Sequence, residues 1–178
     1  MTAQNSPRKS KLWLWLSLGL AILVILIVVA TAVLIPQETH PAYASAVTFV
    51  NAASRGEDDL AHAELDATLT TWVAENCPDG SVSACVDDYV PDDWGALLSA
   101  VYRRSAPEAL PDGRTRWHVD VIATYERGTG GSGVCTYIQM DEVEPEAWRV
   151  TSWAGWVHCG DPSSRNMAEN PDAPNRAP

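Results

Sequence analysis

His118 and Asp120 are the pair in this 178-residue sequence best spaced for acid–base chemistry. Two residues apart on a strand, they share one face, where a carboxylate could orient an imidazole. The opposite face carries Trp117, Val119, Val121, Ala123 and Tyr125 and is the more apolar. Helices that bury that face leave His118 and Asp120 pointing to solvent. Asp87-Asp88 and Asp92-Asp93 offer carboxylates to a cation, but they lack the alternating oxygen ligands and central glycine of a calcium loop. No serine stands in a Gly-x-Ser-x-Gly setting. The glycine-rich stretch 128–133 has no Lys and no helix behind it, unlike a phosphate loop. These residues therefore assign no catalytic, cofactor or metal site.

The four cysteines carry a different chemistry. Cys77, Cys85, Cys135 and Cys159 all lie well beyond the apolar N-terminal run, and an even count in an exported domain reads as two disulfides. Four cysteines permit three pairings. Cys77–Cys85 with Cys135–Cys159 is favoured, because Cys77-Pro78-Asp79-Gly80 reads as a turn closing a short loop. Closing loops of these lengths contributes about 2.5 and 3.5 kcal/mol in the chain-entropy model. A zinc site would need closer cysteine pairs or histidines at ligand spacing, and a redox pair would need a C-x-x-C.

Tryptophan supplies the candidate partner surface. On a strand at 148–158, Trp148 and Trp156 fall on one face and Trp153 on the other, so both faces ask for burial or for a partner.

The elements that must position these residues fall into two halves. The first is helical. Tyr43, Val47 and Val50 share a face over 40–54, and Arg55-Gly56 ends that helix. Glu57-Asp58-Asp59 then places acids at the start of a second helix reaching Asn76, where the helix dipole favours them. A loop follows over 77–91, with a short strand near 84–89. A third helix opens at Pro91-Asp92-Asp93, carries Trp94, Leu97, Leu98, Val101 and Tyr102 on one side, and ends before Pro107. The second half is a meander. The segment 115–126 alternates as a half-buried strand, 134–140 is a second strand, and 148–158 a third. From Gly160 the chain is poor in apolar residues, and 161–178 reads as a disordered tail.

One further segment decides location. Residues 12–35 are an uncharged apolar run of 24 residues, preceded by Arg8, Lys9 and Lys11. A helix of that length reaches about 36 Å, against a bilayer core of about 30 Å. It is read as a transmembrane helix, with the basic tail 1–11 kept in the cytoplasm by the positive-inside rule. The domain organisation is then 36–40 as linker, 41–160 as an extracytoplasmic domain, and the tail. Beyond residue 35 nine arginines stand against 23 acids, a formal charge of −14. That opposes nucleic acid and anionic lipid, and favours a basic partner or simple solubility.

Helices first and an antiparallel meander second give an α+β domain: about three helices on a curved antiparallel sheet of three to four strands. The opening Ala44-x-x-x-Thr48-Phe49-Val50-x-Ala52-Ala53-x-x-Gly56-x-Asp58 and the strands at 115–158 resemble the NTF2-like (cystatin-related) fold. With a short tail and an anchor ahead of it, the arrangement looks like accessory subunits of bacterial envelope machines, such as secretion-system or Mce-associated proteins. The resemblance implies a single-pass cell-membrane protein acting outside by protein–protein contact. Its partners would be the bilayer, through 12–35, and another membrane or extracytoplasmic protein. The alternative it implies is a small-ligand-binding or lyase/isomerase-type enzyme using the cone pocket of such a fold.

Overall fold

The computed structural model describes residues 13–25, 40–87, 90, 92–127 and 133–178. The chain divides into two units, Met1–Glu38 and Thr39–Pro178. In the first, helix α1 occupies the described residues 13–25, with its large apolar side chains exposed. Among the described residues no helix is long and apolar enough to cross a membrane. This corrects the transmembrane-helix expectation for 12–35. The described helix reaches only about 20 Å at 1.5 Å per residue, and residues 12 and 26–35 lie outside the described residues, as does the basic tail 1–11.

The second unit is α+β, with a four-stranded antiparallel sheet in the order β1-β2-β3-β4. Helix α2 (Pro41–Arg55) is built as expected. Pro41 sits at its first turn, His40 caps it by accepting from Ala42 N–H, and Gly56 closes it at φ 73. Ala42, Ala46, Phe49, Val50 and Ala53 recur at helical spacing and are all buried.

The expected second helix is two. Helix α3 (Asp58–Ala63) and helix α4 (Ala67–Asn76) are separated where Leu65 bridges Val150 of β4. Val150 N–H donates to Glu64 C=O at 2.8 Å, and Asp66 N–H to Val150 C=O at 3.0 Å. Asp66 then caps α4, accepting from Leu69 N–H. The expected strand near 84–89 is instead helix α5 (Val82–Asp87). Ser81 Oγ takes the N–H of Ala84 at its start, and Asp58 Oδ1 takes the N–H of Ser83 and the hydroxyl of Ser81. Burial opposes the charge on Asp58, but those hydrogen bonds outweigh it and hold the carboxyl below the usual aspartate range.

The expected third helix is a strand. Strand β1 (Leu97–Ala109) pairs with β2 (Thr115–Tyr125) through a turn in which Leu110 N–H donates to Arg114 C=O. The helical spacing of Trp94, Leu97, Leu98, Val101 and Tyr102 is real, but the ladder offered by β2 outcompetes it.

Strands β3 (Val134–Glu144) and β4 (Ala147–His158) complete the meander. Val119, Val121, Ala123 and Tyr125 of β2 are buried in the core shared with the helices, as their alternation requires.

The other face is covered by the C-terminal tail, which corrects the expectation of disorder over 161–178. Met167 and Ala173 are buried against Cys135, Tyr137 and Ala154. Gly155 N–H donates to Pro174 C=O at 2.8 Å, and Ala177 N–H to Trp153 C=O at 2.9 Å. The tail satisfies backbone groups at β4, so a composition poor in apolar residues is ordered by hydrogen bonds. Both disulfides are formed, Cys77–Cys85 and Cys135–Cys159, and the second ties the tail's first residues to β3.

Candidate functional site

The three indoles of β4 all belong to the helix-side core. Trp148, Trp153 and Trp156 are 5%, 2% and 1% exposed. Strict alternation would put Trp153 on the far face. The β3–β4 register shifts between Gln139 and Met140 and again between Cys135 and Thr136, and each shift re-phases the strand. Val150 and Trp153 can then face the same side, and Trp156, at φ 50, turns back toward α2. There its Nε1–H donates to Ser54 Oγ at 3.2 Å, and Phe49 packs edge-on against the ring. The candidate partner surface is therefore core, and each face is satisfied without a partner.

His118 and Asp120 share the far face of the sheet, as their spacing requires, but the structure does not bring them together. Asp120 accepts from Arg104 Nε of β1. His118 instead lies between two other residues: Nδ1 is 2.6 Å from the Tyr137 hydroxyl, and Nε2 is 3.0 Å from Glu108 Oε2. Carboxylate, imidazole and hydroxyl are in relay order. The hydroxyl end is closed, however. Tyr137 is fully buried, with the Arg176 guanidinium over its ring, and burial pushes its pKa far above the ordinary phenol value. A hydroxyl held neutral and out of reach of substrate makes a poor nucleophile. The relay is read as a structural network, extended by Arg116, which donates twice to Asp141 at 2.7 and 2.8 Å.

Glu108 and Tyr137 escaped the sequence reading because one followed a segment read as helix and the other lay in a strand whose faces were not assigned. Among the described residues no group of three or more His, Cys, Asp or Glu is placed to hold a metal. Asp88 lies outside the described residues, as does the side chain of Asp92.

A cleft of about 580 Å³ opens where the end of α2 meets α5 and β1, lined by Ser54, Arg55, Ser83 and Asp87 among others. Ser83 Oγ and the nearby Tyr125 hydroxyl are buried there without a partner among the described residues.

The two sheet edges differ. The link between α3 and α4 and the C-terminal tail both hydrogen-bond to β4. Among the described residues, backbone hydrogen bonds reach the outer edge of β1 from no other element. On that strand Leu98, Val101 and Tyr102 are 57%, 52% and 42% exposed. These are the residues that a helical reading had buried.

Half of this edge is blunted. The hydrogen bond from Leu110 to Arg114 fixes the alternation of the ladder, so Glu108 and Ala106 face β2 with their backbone groups while Pro107 between them faces outward. Proline at that position has no N–H to offer a second strand. The Leu98–Tyr102 half has no such guard.

Comparison with known proteins finds no match among family models, curated proteins or solved structures.

Proposed function

We propose that this chain works by protein–protein contact, as an accessory subunit of an envelope complex, and that its domain operates in an oxidising compartment outside the cytoplasm. The contact is the unguarded half of β1, which takes an extended segment of a partner protein as an additional strand. The observation that carries the reading is the exposure of Leu98, Val101 and Tyr102 on a strand whose outer backbone groups are unpaired among the described residues.

Other features support it. Two disulfides suit an oxidising compartment. The formal charge of −14 beyond residue 35 favours a segment with basic residues. A leading helix closed by Gly56 and an antiparallel meander behind it are consistent with an NTF2-like relationship. An enzyme of that kind would want an acid or imidazole inside the helix–sheet interior. Phe49, Val119, Ile138, Trp153 and Trp156 occupy that space.

The test is a photo-crosslinking residue at Val101 in intact cells, with Leu60, equally exposed on α3, as the control position. The expected result is one heterologous adduct from Val101 and none from Leu60. The crosslinked segment, made as a peptide, should bind the purified chain and lose binding with Val101→Asp. Adducts of the chain with itself alone, or a peptide indifferent to Val101→Asp, would overturn the reading.

A further inference from the structure

A second cleft, of about 400 Å³, lies at the start of α2, on the helix side of the sheet. Its walls are aromatic and acidic: Trp117 of β2, Trp148 of β4, His40, Glu142 and Glu146. We propose that it binds an organic ammonium ion, of the quaternary or fully substituted class, held against the indoles and neutralised by the two carboxylates.

The aromatic walls are mutually braced. The His40 ring lies 4.8 Å from Trp117 and 5.0 Å from Trp148, and Tyr43 meets Trp117 edge-on at 5.5 Å. His40 Nδ1 accepts the Ala42 N–H at 3.3 Å, which holds the ring against the start of α2. Indole faces attract cations through the ring quadrupole, and desolvation inside a cleft strengthens the attraction.

Charge points the same way. Among the described residues no Lys or Arg lines the cleft. Arg114 of the β1–β2 turn is paired with Asp112 at 2.7 Å, and Arg149, beside Trp148, donates to the Trp148 C=O at 2.8 Å. The start of α2 would ordinarily favour an anion, but its first donors are absent or used. Pro41 has no N–H, Ala42 donates to His40 Nδ1, and Tyr43 donates to His40 C=O at 2.8 Å.

The indole donor and the turn that carries the carboxylates set the chemistry of the cleft. Trp148 is more than nine-tenths buried, and among the described residues no acceptor meets its Nε1–H. Buried indole N–H groups normally find a partner. Glu146 adopts φ 63 as the second residue of the two-residue β3–β4 turn that follows Glu144, with Pro145 as the first. Its own N–H donates to Glu142 Oε1 at 3.1 Å, which draws the second carboxylate to the same side of the β3–β4 turn. An ammonium ion with a hydroxyl or ether oxygen would meet both the indole faces and the free indole donor.

The test is titration of the full chain with choline chloride, read by tryptophan fluorescence and by calorimetry. The control is 3,3-dimethylbutan-1-ol, which has the same shape without the charge. Choline is expected to bind saturably and the neutral alcohol at least about tenfold more weakly. Glu146→Gln, on an exposed turn, should weaken choline severalfold with an unchanged circular dichroism spectrum. Trp117→Leu should weaken it further.

Glycerophosphocholine separates the sources: tighter binding than choline assigns a lipid headgroup, weaker binding assigns the free ion. No saturable binding at millimolar choline overturns the proposal. So does equal binding of the alcohol, or a Glu146→Gln chain with unchanged affinity.

Discussion

The Tyr137 hydroxyl lies 2.6 Å from His118 Nδ1, buried beneath the C-terminal tail. Burial is the main reason that its folded-state pKa is raised, with Arg176 and Arg116 opposing the shift. An acid whose folded pKa is raised keeps its proton in the native state while the unfolded chain releases it near pH 10. Its contribution to stability is therefore complete below about pH 10 and is lost as pH rises from there toward the folded value.

Tyr137→Phe tests this in two ways. At neutral pH it removes a hydrogen bond to a half-buried imidazole and should cost about 1 kcal/mol in urea denaturation. Above about pH 10 the alkaline loss of stability should become shallower than in the parent. It will not vanish, because burial also raises the pKa of Tyr125. An equally steep alkaline limb in the variant would mean that Tyr137 ionises without unfolding.

Gly155→Ala should be severely destabilising. Gly155 has φ 117, a region that L-residues avoid, and an added Cβ would stand 2.6 Å from Cys135 C=O and 2.9 Å from Thr136 Cα. Both obstacles are backbone, so neither can rotate away. A loss of more than about 2 kcal/mol is expected, with a matching fall in the thermal midpoint. The near-ultraviolet signal of the β4 tryptophans should weaken as well. A change under about 0.5 kcal/mol would mean that the register shift beside Gly155 relaxes without cost.

This bulged strand also shows where the sequence was legible. The alternation of 115–126 named the buried face of β2 correctly, because period two survives when a strand is regular. The same rule misplaced Trp153, because the register shift between Gln139 and Met140 breaks the period, and no residue of β4 announces that shift as Gly155 announces the next one. The disulfides were readable from compartment and loop length.

Strand β1 was not readable, since Leu97, Leu98, Val101 and Tyr102 fit helical spacing and only pairing with β2 decides against it. The helix break at Leu65 likewise depends on Val150, 85 residues away. His118 and Asp120 were rightly placed on the far face. Their partners Glu108, Tyr137 and Arg104 come from neighbouring strands, which spacing within one strand cannot reveal.

Pro107→Val tests how the exposed edge is managed. Pro107 faces outward because the ladder alternates from the Leu110–Arg114 hydrogen bond. Valine restores an outward N–H and a strong strand former without disturbing any bond to β2. Fold stability should therefore change little, while two β1 edges become able to pair about a twofold axis. A symmetric contact uses the new donor twice, so dimerisation should tighten by about 1–3 kcal/mol, roughly five- to hundredfold. Sedimentation velocity across a concentration series, run beside the parent chain, measures it. If Pro107→Val associates no more than the parent, Pro107 does not guard the edge, and the apolar residues Leu98, Val101 and Tyr102 need no guard beyond their own strand twist. If association rises and Val101→Asp reverses it, the same edge that proline protects is the one that the proposed partner strand would use.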